Sequence, residues 1–199
     1  MAEIQPRYEF RVWAKTLDEP RKRLAAVPGG KPQESTETYI LSAATSTTNV
    51  KIRAALMDIK ELVREQDGLE QWNPTLKEEF PIVAAIVSSK ILPGLRAEVP
   101  KLSRERYTLD EFLREVVATH PKLKAVSLTK FRTQYKIDGC TAEFTEVRIN
   151  DAQAQTVQTV AVESEDPAAV RGVVTRLGLG TTPNVNYIRE LKRLAGMGG

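Results

Sequence analysis

At 199 residues, with 41% hydrophobic and 28% charged residues, the chain is long enough to bury a core without disulfide or metal staples and too apolar for extensive disorder. The 29 basic residues against 26 acidic ones leave a formal net charge of only +3, so charge alone does not mark a nucleic-acid binder; what matters is where the charges face. A lone Cys140 excludes an intrachain disulfide and a zinc site built on several cysteines, and no apolar run reaches membrane-spanning length. The charged start from Met1 to Arg11 lacks a signal-peptide core, so the expectation is a cytoplasmic protein of one domain, residues 1–199.

The opening segment Arg7–Trp13 alternates charged Arg7, Glu9 and Arg11 with apolar Tyr8, Phe10 and Val12, the two-residue period of a strand. A Pro/Gly-rich loop over Val27–Pro32 separates it from a second strand, Thr36–Leu41. Asn49–Arg53 and Asp58–Leu62 alternate again, with Lys51 and Arg53 on one face, Val50 and Ile52 on the other, and Met57–Asp58 as the expected turn. Phe80–Val87 is a short apolar run that fits either a buried helix entered through Pro81 or a buried strand, with helix the leading expectation. Thr108 and Glu111 form a capping box ahead of Leu109, Phe112, Leu113, Val116 and Val117 at helical spacing. Leu123–Ile137 reads as a strand, Asp138–Gly139 as a hairpin turn, and Thr141–Ile149 and Thr156–Glu163 as further antiparallel strands. Asp166 and Pro167 open a helix that Gly178 stops, and a last helix over Val185–Ala195 precedes a tail, Gly196–Gly199, expected to fray.

Charged alternation by itself describes a solvated sheet face. Here it recurs on separated strands, as Arg7/Glu9/Arg11, Lys51/Arg53, Lys130/Arg132 and Glu163/Glu165. If these strands curl into a barrel, the charged faces line the inside, and a closed polar lumen is costly unless a ligand or mutual pairing satisfies it. Clustered Arg and Lys suit a chain of phosphates, and carboxylates at one end suit Mg²⁺ or Mn²⁺. A phosphate-rich small anion is therefore the expected ligand, in preference to nucleic acid or a membrane.

Lys51-Ile-Arg53, Lys60, Lys130-Phe-Arg132 with Tyr135, Val162-Glu-Ser-Glu165 before a helix, and Asn186-Tyr187 near the end form an ordered set that resembles the landmarks of the CYTH superfamily. These are the triphosphate tunnel enzymes, which include class IV adenylyl cyclases, thiamine triphosphatases and inorganic triphosphatases. The resemblance runs from about Arg7 to Leu194. It implies an α+β fold, an antiparallel eight-stranded tunnel-like β-barrel with flanking helices. By position, Arg11, Lys51, Arg53, Lys60, Lys130 and Arg132 would bind substrate phosphate, and Glu163 and Glu165, with Glu143 or Glu146, would hold Mg²⁺ or Mn²⁺. Only one of Glu143 and Glu146 can face inward, because side chains three residues apart on a strand lie on opposite faces. The departure is in the first strand, where the family shows two acidic residues and a lysine at alternate positions. Arg11 can replace the lysine, but Arg7 cannot bind a metal in place of a carboxylate.

No P-loop or dinucleotide fingerprint is present: Gly29-Gly30-Lys31 is followed by Pro32, and Gly178-Leu-Gly180 reads as a helix stop. His120, before Pro121, reads as a surface or capping residue, Trp13 and Trp72 as packing, Tyr39 and Tyr135 as barrel wall, and Arg21-Lys22-Arg23 as a solvated turn. The leading expectation is a metal-dependent phosphohydrolase acting on tripolyphosphate or a nucleoside triphosphate, with Glu9 positioning the attacking water. Its rivals are a non-catalytic phosphate-binding module with a degenerate metal site and an adenylyl cyclase. The sequence is compatible with a homodimer.

Overall fold

A computed structural model describes residues 5–151 and 153–197, so the expectation for Gly198 and Gly199 lies outside the described residues. In chain order they form β1 (Arg7–Ala14), α1 (Asp18–Ala25), β2 (Lys31–Ser42), β3 (Thr45–Arg53), β4 (Leu56–Gln66), β5 (Leu69–Glu79), β6 (Ile82–Val83) and a helical run, α2, over 84–94. There follow β7 (Arg106–Tyr107), a second helical run, α3, over 109–117, β8 (Leu123–Ile137), β9 (Cys140–Ile149), β10 (Thr156–Ser164), α4 (Pro167–Arg176) and α5 (Tyr187–Leu194). Eight strands close an antiparallel barrel in the order β1-β10-β9-β8-β2-β3-β4-β5, and β6 and β7 pair separately. Among the described residues no helix is long and apolar enough to cross a membrane.

The chain divides into two compact units. The first comprises residues 1–36, 62–73 and 128–186. In it β1 pairs with β10 and β5, β10 with β9, and β9 with β8. Period two sends Tyr8, Phe10 and Val12 of β1, Ala142 and Phe144 of β9, and Val160 and Val162 of β10 to one side, where they pack with Leu24 of α1 and Val170, Val173 and Val174 of α4. That apolar side faces the helices. The opposite side carries Arg7, Glu9, Arg11, Glu143, Thr145, Thr159 and Glu163, with Lys130, Arg132 and Gln134 of β8, and is the inner face of the barrel.

The second unit comprises residues 37–61, 74–127 and 187–199. Ile40 of β2, Val50 and Ile52 of β3, and Met57 and Ile59 of β4 pack with Val87, Ile91 and Leu92 of α2 and Phe112, Val116 and Val117 of α3. Glu37, Tyr39, Asn49, Lys51, Arg53, Asp58 and Lys60 fall on the other side. There Tyr187 of α5 stacks on Tyr39 with ring centroids 5.4 Å apart, and Lys192 donates to the Thr45 carbonyl and the Ser46 hydroxyl.

The expected capping box is present in full: the Thr108 hydroxyl accepts from the Glu111 N–H while the Glu111 carboxylate accepts from the Thr108 N–H. Asp166 caps α4 by accepting from the Ala168 N–H, and Asp138–Gly139 turns β8 into β9 with φ values of 47° and 77°. Other expectations need correction. The turn before β4 is Ala54–Ala55, since the register pairs Arg53 with Leu56 and puts Asp58 opposite Lys51 inside the hairpin. Arg21-Lys22-Arg23 belongs to α1, whose acidic start and basic end suit a helix dipole. Phe80–Val87 is split, because Ile82–Val83 pairs with Arg106–Tyr107 before the helix begins at Ala84.

Ala54 and Ala55 hold φ values of 47° and 59°, a left-handed conformation that costs an L-residue with a Cβ about 1–2 kcal/mol. Two-residue hairpins of this kind favour Asn-Gly. The double substitution A54N/A55G is expected to stabilise the protein by about 1 kcal/mol, read as a rise of about 2–4 °C in melting temperature.

Candidate functional site

On the inner face of the first unit, antiparallel register aligns Arg11 with Ala161, Ala161 with Glu143, and Glu143 with Gln134, one residue from each of β1, β10, β9 and β8. Ala161 is small, so the Arg11 side chain passes over β10 and reaches β9. Its Nη2 donates to Glu143 Oε1 at 3.2 Å, its Nε to Glu9 Oε1 at 2.8 Å and its Nη1 to Thr159 Oγ1 at 3.3 Å. Arg132 approaches the second Glu143 oxygen, Oε2, with Nη1 at 3.4 Å, and Gln134 donates to the same oxygen at 3.4 Å. Gln33 accepts from Arg132 Nη2. Glu143 is therefore gripped from both sides.

Burial alone would raise the Glu143 pKa, but Arg11, Arg132 and Lys130 outweigh it and hold the carboxyl below its ordinary 4.5. Arg11 and Lys130 are both 5% exposed, a depth that charged side chains tolerate only with partners. Two donors on this face have no acceptor in the protein: the Nε of Arg132 and the hydroxyl of Thr145, which stand opposite each other in the β8–β9 register. Buried donors are nearly always satisfied, so this pair points to an acceptor supplied from outside the chain.

A second row lies one step along the strands. Glu9 pairs in register with Glu163 on one side and with Glu70 on the other, so three carboxylates occupy adjacent strands. Their side chains do not converge. Glu9 accepts from Arg11, Glu163 from Arg7 Nη1 at 3.1 Å, and Glu70 from the Asn186 amide at 2.9 Å and the Trp72 indole at 3.2 Å. The Asn184 side-chain oxygen Oδ1 accepts from the Arg11 backbone N–H, and its Nδ2 donates to the Glu9 backbone carbonyl, so the segment before α5 clamps β1.

The second unit has its own basic cluster. Lys51 stands 3.9 Å from Asp58, and Arg53 stands 3.7 Å from Glu37, which is 1% exposed and also accepts from the Tyr39 hydroxyl. Burial pushes the Lys51 ammonium pKa down, although Glu37 and Asp58 oppose that shift. Lys60 lies opposite Asn49 on the same face, and the Asn49 side-chain oxygen is buried with no protein donor.

The structure thus puts Glu9, Arg11, Lys130, Arg132, Glu143 and Glu163 on the inner face of one unit, and Lys51, Arg53 and Lys60 on the corresponding face of the other. Between Glu143 and Glu146, Glu143 faces inward. Glu146 stands on the opposite face with Phe144 and pairs with Arg148 at 2.9 Å. Glu165 lies beyond the end of β10 and is exposed. Sequence reasoning missed Glu70 and Glu37. Asp67–Gly68, a hairpin signal joining β4 to β5, would have exposed Glu70, and Glu37 shares the two-residue period of Tyr39. His120 accepts from the Lys122 N–H, lies near the Glu98 carbonyl and takes no part in either cluster.

Mg²⁺ and Mn²⁺ require several converging oxygen ligands. Among the described residues no three His, Cys, Asp or Glu side chains gather in that way, and the inner carboxylates of the first unit already have protein donors. The residues present do not fit a resident divalent cation.

No protein-family model and no curated protein sequence matches the chain. Among solved structures it is similar to a conserved hypothetical protein from Pyrococcus furiosus, with TM-score 0.50 and 15% identity over 93% of this chain and 98% of that one. It is also similar to a Bacillus halodurans protein provisionally assigned as an adenylate cyclase, with TM-score 0.51 and 10% identity over 94% and 97% of the two chains. At these identities the likeness is one of fold. The closed antiparallel eight-stranded barrel with its flanking helices is the fold that the sequence led us to expect, and it is shared with these structures.

Two outcomes follow from this geometry. Thr145→Val replaces an unpartnered buried hydroxyl by a methyl of the same shape, so it is expected to stabilise the protein by about 1 kcal/mol, read by thermal melts. Because the Glu143 pKa is lowered in the folded state, its contribution to stability is present above the ordinary carboxylate range and is lost as pH falls through the lowered value. Glu143→Gln is expected to lower the melting temperature at neutral pH and to flatten the fall in stability below about pH 4.5, as measured by melts across the acid range.

Proposed function

We propose that this protein binds a small triphosphate, inorganic tripolyphosphate or a nucleoside triphosphate, through the basic side chains on the inner face of its barrel. The observation that carries this reading is the set of buried Arg11 and Lys130 with half-buried Arg132, accompanied by the two unpartnered donors of Arg132 and Thr145. Phosphate oxygens match this set, since a guanidinium offers them a planar fork and an ammonium a point charge. The anion competes with Glu143 for Arg11 and Arg132, an exchange of one charged partner for another that leaves neither arginine bare. Lys51, Arg53 and Lys60 of the second unit are proposed for the same chemistry.

A second reading, hydrolysis of the bound anion by water attacking in line, is favoured by the Glu70–Glu9–Glu163 row, in which Glu9 would position the water. Calorimetry with tripolyphosphate and ATP, followed by assay of phosphate release with added Mg²⁺ or Mn²⁺, separates the two. Lys130→Ala and Arg132→Ala are each expected to weaken binding about tenfold or more, about 1.4 kcal/mol. Binding without phosphate release supports the binding module. Release that vanishes in Glu163→Gln and Lys130→Ala would put hydrolysis first, product analysis would reveal cyclisation of ATP, and failure to bind either anion overturns the proposal.

A further inference from the structure

We infer that in the acidic row Glu70–Glu9–Glu163 resident arginines neutralise Glu9 and Glu163, and neutral donors satisfy Glu70, in place of a divalent cation, so that this protein captures its polyphosphate without metal. The inference rests on the triphosphate-binding reading and adds the form in which the anion is bound. Three carboxylates in register on adjacent strands repel one another unless positive charge or donors stand among them. The chain supplies both. Arg7, two residues before Glu9 on the same face of β1, donates to Glu163 at 3.1 Å, and Arg11, two residues after it, donates to Glu9 at 2.8 Å and Glu143 at 3.2 Å. Asn186 and Trp72 occupy both oxygens of Glu70. Each carboxylate of the row is directed at its own partner, away from any common point.

The position of Arg7 decides the chemistry. A carboxylate at residue 7 would join Glu9 and Glu163 as a third acidic ligand, on alternate β1 positions and the adjacent strand, and the row would then need a cation. A guanidinium there provides fixed positive charge and blocks that need. Arg7 is also the most open member of the group, with half its side chain exposed, so a phosphate reaching the row meets this fork directly. Arg7 thus serves both as counter-ion to Glu163 and as a donor to the incoming anion.

Two titrations of the full chain test this. Mn²⁺ alone, followed by calorimetry or electron paramagnetic resonance, is expected to show no stoichiometric binding to the wild type, and tripolyphosphate is expected to bind in EDTA with an affinity within about threefold of that in buffer without a chelator. Arg7→Glu is expected to gain a Mn²⁺ site at least tenfold tighter than any wild-type binding and to melt at a higher temperature when Mn²⁺ is added. Arg7→Gln, which removes the charge without adding a ligand, is expected to weaken tripolyphosphate binding and gain no Mn²⁺ site. One Mn²⁺ bound per wild-type chain, or anion binding abolished by EDTA, overturns the inference while leaving the triphosphate reading intact. No tripolyphosphate binding under any condition overturns both, and the Mn²⁺ titration still reports on the row independently.

Discussion

The guanidinium of Arg11 is the interaction around which the inner face of the first unit is organised. It lies 5% exposed on β1 and joins Glu9 of its own strand to Glu143 two strands away. Opposite charges about 4 Å apart attract by about 4 kcal/mol at an effective dielectric near 20, which is similar to the several kcal/mol that a buried ion loses in hydration. One carboxylate would therefore leave Arg11 barely compensated, and two secure it. Ala161 makes the second contact possible, because any larger side chain at that register position would stand between Arg11 and Glu143.

On the proposed reading, this arrangement favours capture of an anion over retention of a metal. Carboxylates tied to arginines are poor cation ligands, whereas arginines tied to carboxylates exchange them readily for phosphate, since the geometry of the fork is the same for both. In that proposal Glu143 is a holding partner that keeps Arg11 and Arg132 oriented until the anion displaces it. The unpartnered Arg132 Nε and Thr145 hydroxyl fit that picture, being donors in excess of what the protein can use. Buried donors without a protein acceptor cost the folded chain free energy, which sets these two groups against stability.

Much of this was legible in the chain before folding. The two-residue alternation on β1, β3, β8 and β10 separated apolar from charged faces, and the structure packs the apolar sides against helices as that pattern requires. Capping and turn chemistry at Thr108, Asp138–Gly139 and Asp166 was also local, depending on a few neighbouring residues. Where local signals were weak or conflicting, the reading failed. Ala54–Ala55 has no turn chemistry, and α1 was hidden because its few apolar residues leave little helical period to see.

By itself the sequence determined which residues share a face, because side-chain direction along a strand is fixed by parity, and it determined that those faces carry charges of both signs, with lysines and arginines prominent. Only the tertiary structure decided which strands became neighbours, and with them the register that sets Glu9 between Glu70 and Glu163 and carries Arg11 over Ala161 to Glu143. Those are contacts between residues as many as 154 positions apart, chosen by strand order and pairing, which no local pattern encodes. The same pairing also decided that Arg7 neutralises Glu163, so a departure visible in one strand acquired its chemical meaning only when another strand was laid beside it.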